Sequence, residues 1–208
     1  MHLKTVAATV RDIRQVEPSP EDEFLVDTNA WYWVTYSRAS TLAVDQQAKY
    51  QKQHYSGFIK KALERGAILH RCELSLAELC HTIEDCERRI FAEYVGCREV
   101  PAKEHRHCED EERDEVVSEI ESAWGQVVQM SQCLELAANS ATSADVLKDL
   151  RRCRVDGYDL FILQAMKKGG ITRIVTDDSD FATVAELEVF TCNRGLIDLA
   201  GQQGRLRD

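Results

Sequence analysis

Apolar positions in this chain fall into two patterns, short solid runs and longer stretches at helical spacing. "FLVDTN" (24–29), "AILHRC" (67–72), "ITRIVTDDSDF" (171–181) and "ELEVFTC" (186–192) are short apolar runs that start or end on turn-forming or acidic residues. Runs of this kind predict strands buried on both faces. Between them, Leu76, Leu79, Cys80, Ile83, Ile90 and Tyr94 recur at steps of three, four and seven, which predicts an amphipathic helix from Ser75 to about Val95. Residues 40–65 are helical in composition and close at Gly66 as at a C-cap. "VDGYDLFILQAMKKGG" (155–170) is apolar almost all round, hence a buried helix, with Lys167 and Lys168 in its last turn and Gly169 as its stop. Strands separated by helical segments predict an α/β protein with a parallel sheet covered on both faces.

This pattern divides the chain. Residues 1–23 read as an N-terminal extension ending in "EPSPEDE", where Pro18 and Pro20 break regular structure. Residues 24–195 read as the main domain, interrupted over about 97–150 by a polar helical insertion with Val116, Val117, Ile120, Trp124, Val127 and Val128 as its packing face. Residues 196–208 read as a C-terminal tail.

Composition narrows the class. The 208 residues are 44% hydrophobic and 30% charged, with 3 Pro and 10 Gly, as in a helix-rich globular chain long enough to bury a core without disulfides. The start has no sustained apolar core, so no signal peptide or membrane span is expected and a cytoplasmic location is. Eight cysteines without a CxxC pair read as reduced thiols. "HRHC" (105–108), with Cys97 upstream, has zinc-type ligands without the two spaced pairs of a structural zinc site. The net charge of −10 is concentrated: residues 104–121 carry nine acids against two arginines, −7 of the total. Such a run reads as a solvated helix face, or as a surface that excludes nucleic acid or docks a basic partner.

Candidate chemistry sits where strands end. In an open parallel sheet, ligands bind beyond the carboxyl ends of the strands. Asp27 lies at one such end, and Asp177, Asp178 and Asp180 lie at another. A single Asp there is equally a turn residue. Glu78 completes a capping box with Ser75, Asp156 suits an N-cap, and Asp159 falls in a first helical turn where the helix dipole favours an acid. Against these readings, Asp159 is embedded in an apolar helix, where an unpaired carboxylate is costly and a cation would supply its partner. Acids from four segments, without His or Cys, describe a hard-oxygen site for Mg²⁺ or Mn²⁺ and phosphoester chemistry. "RRCR" (Arg151, Arg152, Arg154) is a candidate phosphate contact and equally a solvated helix terminus.

In this order the motifs "VDTN" (Asp27, Asn29), "SLAEL" (Glu78), "YDLFILQAMKKGG" (Asp159) and "IVTDDSDF" (Thr176, Asp178, Asp180) resemble those of the PIN-domain nucleases, and among them the VapC-like toxin ribonucleases. The resemblance covers residues 24–95 and 153–192. It implies a PIN-like central parallel sheet flanked by helices, and cleavage of RNA by an endoribonuclease acting as the toxin of a toxin–antitoxin pair. It implies Asp27, Glu78, Asp159 and Asp178 around one or two Mg²⁺ or Mn²⁺ ions, with Asn29, Thr176 and Asp180 in support and Asp156 as the alternative third acid. An antitoxin protein and a second copy of the chain are the partners it implies. The competing expectation is a PIN-like module that binds RNA or protein without cutting; the four acids favour the enzyme and the long insertion favours the module.

Overall fold

The computed structural model describes residues 5–41, 46–107 and 110–207. Seven strands run in chain order as β1 (Thr9–Asp12), β2 (Glu23–Val26), β3 (Ile68–Cys72), β4 (Gln132–Leu134), β5 (Arg173–Val175), β6 (Glu188–Thr191) and β7 (Leu206–Arg207). They form one sheet in the order β4-β3-β2-β5-β6-β1-β7, with every pairing parallel. The helices are α1 (Thr28–Thr35), α2 (Gln46–Glu64), α3 (Leu74–Tyr94), α4 (Ala102–Arg106), α5 (Asp110–Met130), α6 (Ser140–Asp149), α7 (Gly157–Gly169) and α8 (Arg194–Gln202).

Side-chain alternation along the strands builds two cores. Phe24 and Val26 of β2, Val175 of β5 and Phe190 of β6 face a core completed by α1, α2, α3 and α5. Leu25, Ile174 and Val189, one residue out of phase, face the other core, with α6, α7 and α8. Both faces of each central strand are therefore covered, which is why these runs are solidly apolar and not alternating.

From β2 the chain moves outward through β3 to β4, then crosses back to β5 and proceeds to β6. The adjacent strands β2 and β5 thus lead away in opposite directions. Their carboxyl ends open the crevice where such sheets bind ligands.

The four strands expected from apolar runs are β2, β3, β5 and β6, and the helix expected over 75–95 is α3. Gly66, at φ +83°, follows α2 as expected; α7 closes one residue later than expected, on Gly170 at φ +72°. Both adopt the left-handed region that glycine enters without strain.

Other expectations are corrected. Residues 1–23 supply β1, an inner strand between β6 and β7, and residues 196–208 carry most of α8 and all of β7, so neither end is an appendage to the sheet. β1 has little strand signature because three of the four residues of its "TVRD" are polar and its partners are at the far end of the chain. Helix α1 went unread because its sequence, "TNAWYWVT", is aromatic and β-branched. Residues 42–45, within the stretch read as helical from Ser40, lie outside the described residues. The stretch 97–150 is helical over α5 and α6, with Val116 and Val127 buried and Val128 exposed, but it also adds the edge strand β4, whose "QCL" carries no strand pattern. The seven described cysteines are free thiols, and Cys108 of "HRHC" lies outside the described residues. Among the described residues, no helix is long and apolar enough to cross a membrane.

Phe24 is fully buried and meets the rings of Phe190 (4.9 Å) and Phe58 (5.5 Å) edge-on, joining β2, β6 and α2. Phe24→Ala is expected to lower the unfolding free energy in urea by about 3–5 kcal/mol. Leu147→Ala, at a side chain 62% exposed, should change it by less than about 0.5 kcal/mol. Equal effects would contradict this placement of the core.

Candidate metal centre

β2 ends at Val26, and the next residue serves two structures at once. The Asp27 N–H donates to the Val175 carbonyl (3.0 Å), keeping it joined to β5, while its own carbonyl accepts from Trp31 N–H (3.0 Å) and opens α1. Its carboxylate is buried and held at both oxygens. Oδ1 accepts from the Thr28 N–H (2.7 Å), and Oδ2 accepts from Asn29 Nδ2 (2.6 Å) and Thr176 Oγ1 (2.7 Å). The turn reading and the site reading of Asp27 are thus not alternatives: it caps α1 and walls the crevice.

Asn29 and Thr176 fix this carboxylate as a unit. Asn29 Nδ2 also donates to Thr176 Oγ1 (3.1 Å), and Asn29 Oδ1 accepts from the Asp177 N–H (2.9 Å). Thr176 Oγ1 in turn accepts from the Asp178 N–H (2.9 Å). One hydroxyl therefore donates once and accepts twice, its full hydrogen-bonding capacity.

Glu78 comes from the first turns of α3. That helix begins at Leu74 with Glu73 at its N-cap, which makes no side-chain capping bond, and Ser75 is buried inside it. The expected Ser75–Glu78 capping box is not formed, because Ser75 lies past the cap position. Glu78 Oε2 instead accepts from Thr28 Oγ1 of α1 (2.5 Å). Asp156 is the N-cap of α7, accepting from the Tyr158 N–H (2.9 Å) and the Asp159 N–H (3.1 Å), as its position suggested. Asp159 follows in the first turn, buried.

These acids converge. Asp27, Glu78, Asp156, Asp159 and Asp178 all line one cleft of about 310 Å³, and carboxylate oxygens of Asp27, Glu78 and Asp159 lie within 4.8 Å of one another. Asp178 is positioned by its own backbone bond to Thr176 and accepts from the Asp180 N–H (2.8 Å). Asp180 thus supports Asp178 through its backbone, and its side chain is not among those lining the cleft. Asp177 is turned to α2, where Gln51 Nε2 donates to Oδ2 (2.5 Å) and the Tyr55 hydroxyl lies 2.9 Å from Oδ1. Arg151, Arg152 and Arg154 are exposed on the segment leading to Asp156, outside the cleft lining.

Crowding these acids has an electrostatic consequence. Burial, reinforced by the charges of Glu78 and Asp178, pushes the Asp27 carboxyl up to about 7. Burial and the charges of Asp27, Asp156, Glu78 and Asp178 push Asp159 up to about 9. Burial likewise raises Glu78, with Asp156 and Asp178 adding to it and the Thr28 bond opposing. A hard divalent cation fits this donor set, since it would neutralise charges that otherwise repel one another.

Asn29, expected from the sequence, also lines the cleft; Thr28, Tyr32, Trp33 and Thr82 complete the lining and carry no signal in the sequence. Thr28 lies inside "VDTN", but its bond to Glu78 joins residues fifty positions apart and left no local signal.

No curated protein matches the chain in sequence. Among solved structures, a chain of VapBC2 from Rickettsia felis, bound to a DNA fragment from their promoter, is similar over 81% of this chain and 98% of its own, at 10% identity and a TM-score of 0.45. The family model described as PIN domain matches residues 24–187, a span that runs from within β2 past β5 and contains every acid that lines the cleft. The chain belongs to the PIN domain family.

Proposed function

We propose that this protein is a metal-dependent endoribonuclease, with Asp27, Glu78, Asp159 and Asp178 as ligands of Mg²⁺ or Mn²⁺. The observation that carries the reading is the set of three carboxylates within 4.8 Å at the switch point of the sheet, with Asp178 and Asp156 on the same wall. A bound divalent ion supplies neutralisation of charge on the phosphoryl oxygens and acidifies a water.

The chain's own residues supply the rest. Asn29, Thr176 and the Thr28 N–H fix the orientation of Asp27, and Oδ1, which accepts only the Thr28 bond, retains a lone pair. Glu78, held through Oε2 by Thr28, is the group placed to take a proton from the attacking water. The water oxygen bonds to phosphorus as its proton passes to Glu78, the ester bond to the departing ribose oxygen breaks, and that oxygen takes up a proton from solvent. Arg151, Arg152 and Arg154 are proposed phosphate contacts on the side of Asp156. The role of toxin, an antitoxin partner and a homodimer rest on the motif resemblance.

With Mn²⁺ and a mixed RNA pool, folded Asp27→Asn and Asp159→Asn variants are expected to cut at least ~10²-fold more slowly than wild type, and EDTA should abolish wild-type cleavage. Metal-independent cutting, or variants as fast as wild type, would remove the reading; RNA binding without cleavage would favour a non-cleaving module.

Stability should report the same acids. Their folded carboxyls, at about 7 and about 9, keep protons that the unfolded chain loses near 3.8. Their contribution is therefore complete below about pH 4 and is lost as pH rises through both folded values. Without metal, wild type should lose several degrees of Tm between pH 5 and 9 relative to Asp27→Asn/Asp159→Asn, and millimolar Mn²⁺ should raise wild-type Tm more at pH 8 than at pH 5. A metal effect equal at both pH values, or equal in the double variant, would contradict it.

A further inference from the structure

Beside the carboxylate cleft lies a second cavity of about 550 Å³, bounded by α1, α2 and α3. Tyr32, Trp33 and Thr82 line both, so the two form one continuous depression. Its volume lies within the ~300–1,000 Å³ of small-molecule sites. Its chemistry differs from that of the cleft: in place of five carboxylates it has an aromatic ring, His81, Arg89 and the single acid Asp85.

We infer that this cavity receives an unstacked base of single-stranded RNA next to the scissile phosphodiester, with the base against Trp33 and a flanking phosphate on Arg89. The inference rests on the ribonuclease reading and names the form of RNA that reading leaves open.

Trp33 is a half-buried ring with a fixed backing. Tyr32 meets it edge-on at 5.0 Å and 76°, and Tyr32 is itself buried. A rigid aromatic at the lip of a cleft offers a stacking surface that any base can use. A base in a duplex is already stacked and paired and cannot reach it.

The charge around the cavity suits a phosphate. Asp85 lies between two arginines, 2.5 Å from Arg88 and 3.4 Å from Arg89, so one carboxylate is shared by two guanidiniums, while the neighbouring Glu84 and Glu87 are paired with Arg106, Arg113 and Arg38. Arg89 is exposed and 59% accessible at its side chain, so it can shift from Asp85 to an incoming phosphate at little cost. On a chain of net charge −10, this exposed guanidinium beside the carboxylates gives a polyanion a place to approach.

The test uses Asp27→Asn protein with Mg²⁺, so that bound RNA stays intact, and a mixed-sequence single-stranded 8-mer as probe. Binding is expected to quench tryptophan emission. Adding Trp33→Ala should remove the quench and weaken binding roughly 10- to 100-fold, Trp33→Tyr should restore most of the affinity, and Trp124→Phe should leave the quench intact. Arg89→Gln, at an exposed side chain, should weaken binding and make its salt dependence shallower. A duplex of the same sequence should compete poorly. If Trp33→Ala and Arg89→Gln bind the 8-mer as the parent does, or if the duplex competes equally, the subsite assignment is wrong while cleavage by wild type still stands. If wild type neither cuts nor binds RNA, the assignment and the ribonuclease reading fall together.

Discussion

Mutual repulsion among the carboxylates of Asp27, Glu78 and Asp159 is the constraint around which the rest of the site is arranged. Like charges within 4.8 Å spread apart unless something holds them, and here four segments of chain do the holding, so that without a cation Asp27 and Asp159 are driven to take up protons. Asp27 is locked by Thr28, Asn29 and Thr176, Glu78 by Thr28, and Asp159 by the first turn of α7 under its Asp156 cap. Each of these bonds crosses from one element to another or fixes the start of a helix. The site is therefore as rigid as the junction of β2, β5, α1, α3 and α7.

That junction depends on packing farther away. α1 is tied to α3 at both ends, by Thr28 with Glu78 at its start and by Tyr36 and Arg38 with the buried Glu87 just beyond its end (2.5 and 2.6 Å). The two ties follow the same order along both helices. Between them, Tyr32 and Trp33 face His81, Thr82, Asp85 and Arg89 across the cavity that continues from the carboxylates. The same helix pair thus sets the position of Glu78 and shapes the surface beside it. The price is a buried charge: burial raises the Glu87 carboxyl, and it stays paired only while Tyr36 and Arg38 keep their places.

What the sequence made legible follows from the range of the forces involved. β2, β3, β5 and β6 are buried on both faces and so carry solid apolar runs that a single pass along the chain detects. β1, β4 and β7 lie at or near the edges, are short, and are mostly polar or exposed in part, so their identity comes from partners and not from pattern. The acids at strand ends were legible because sheet topology assigns chemistry to that edge. Their fixation was not, since the bonds from Thr28 to Glu78 and from Thr176 to Asp27 link residues 50 and 149 positions apart. Glu78 shows the hazard of a local rule: the Ser75–Glu78 spacing fits a capping box, yet a helix start at Leu74 puts Ser75 inside and frees Glu78 for Thr28. Asp177 stands among the acids in sequence, and Gln51 and Tyr55 draw it away from the cleft.

The carboxylates at the switch point are the proposed divalent-metal site, and the more numerous acids of α5 are not. Anomalous diffraction from crystals grown with Mn²⁺ separates the two directly. The account predicts an anomalous peak in contact with oxygens of Asp27, Glu78 and Asp159. Mn²⁺ on the acids of α5, with no peak in the cleft, would contradict it.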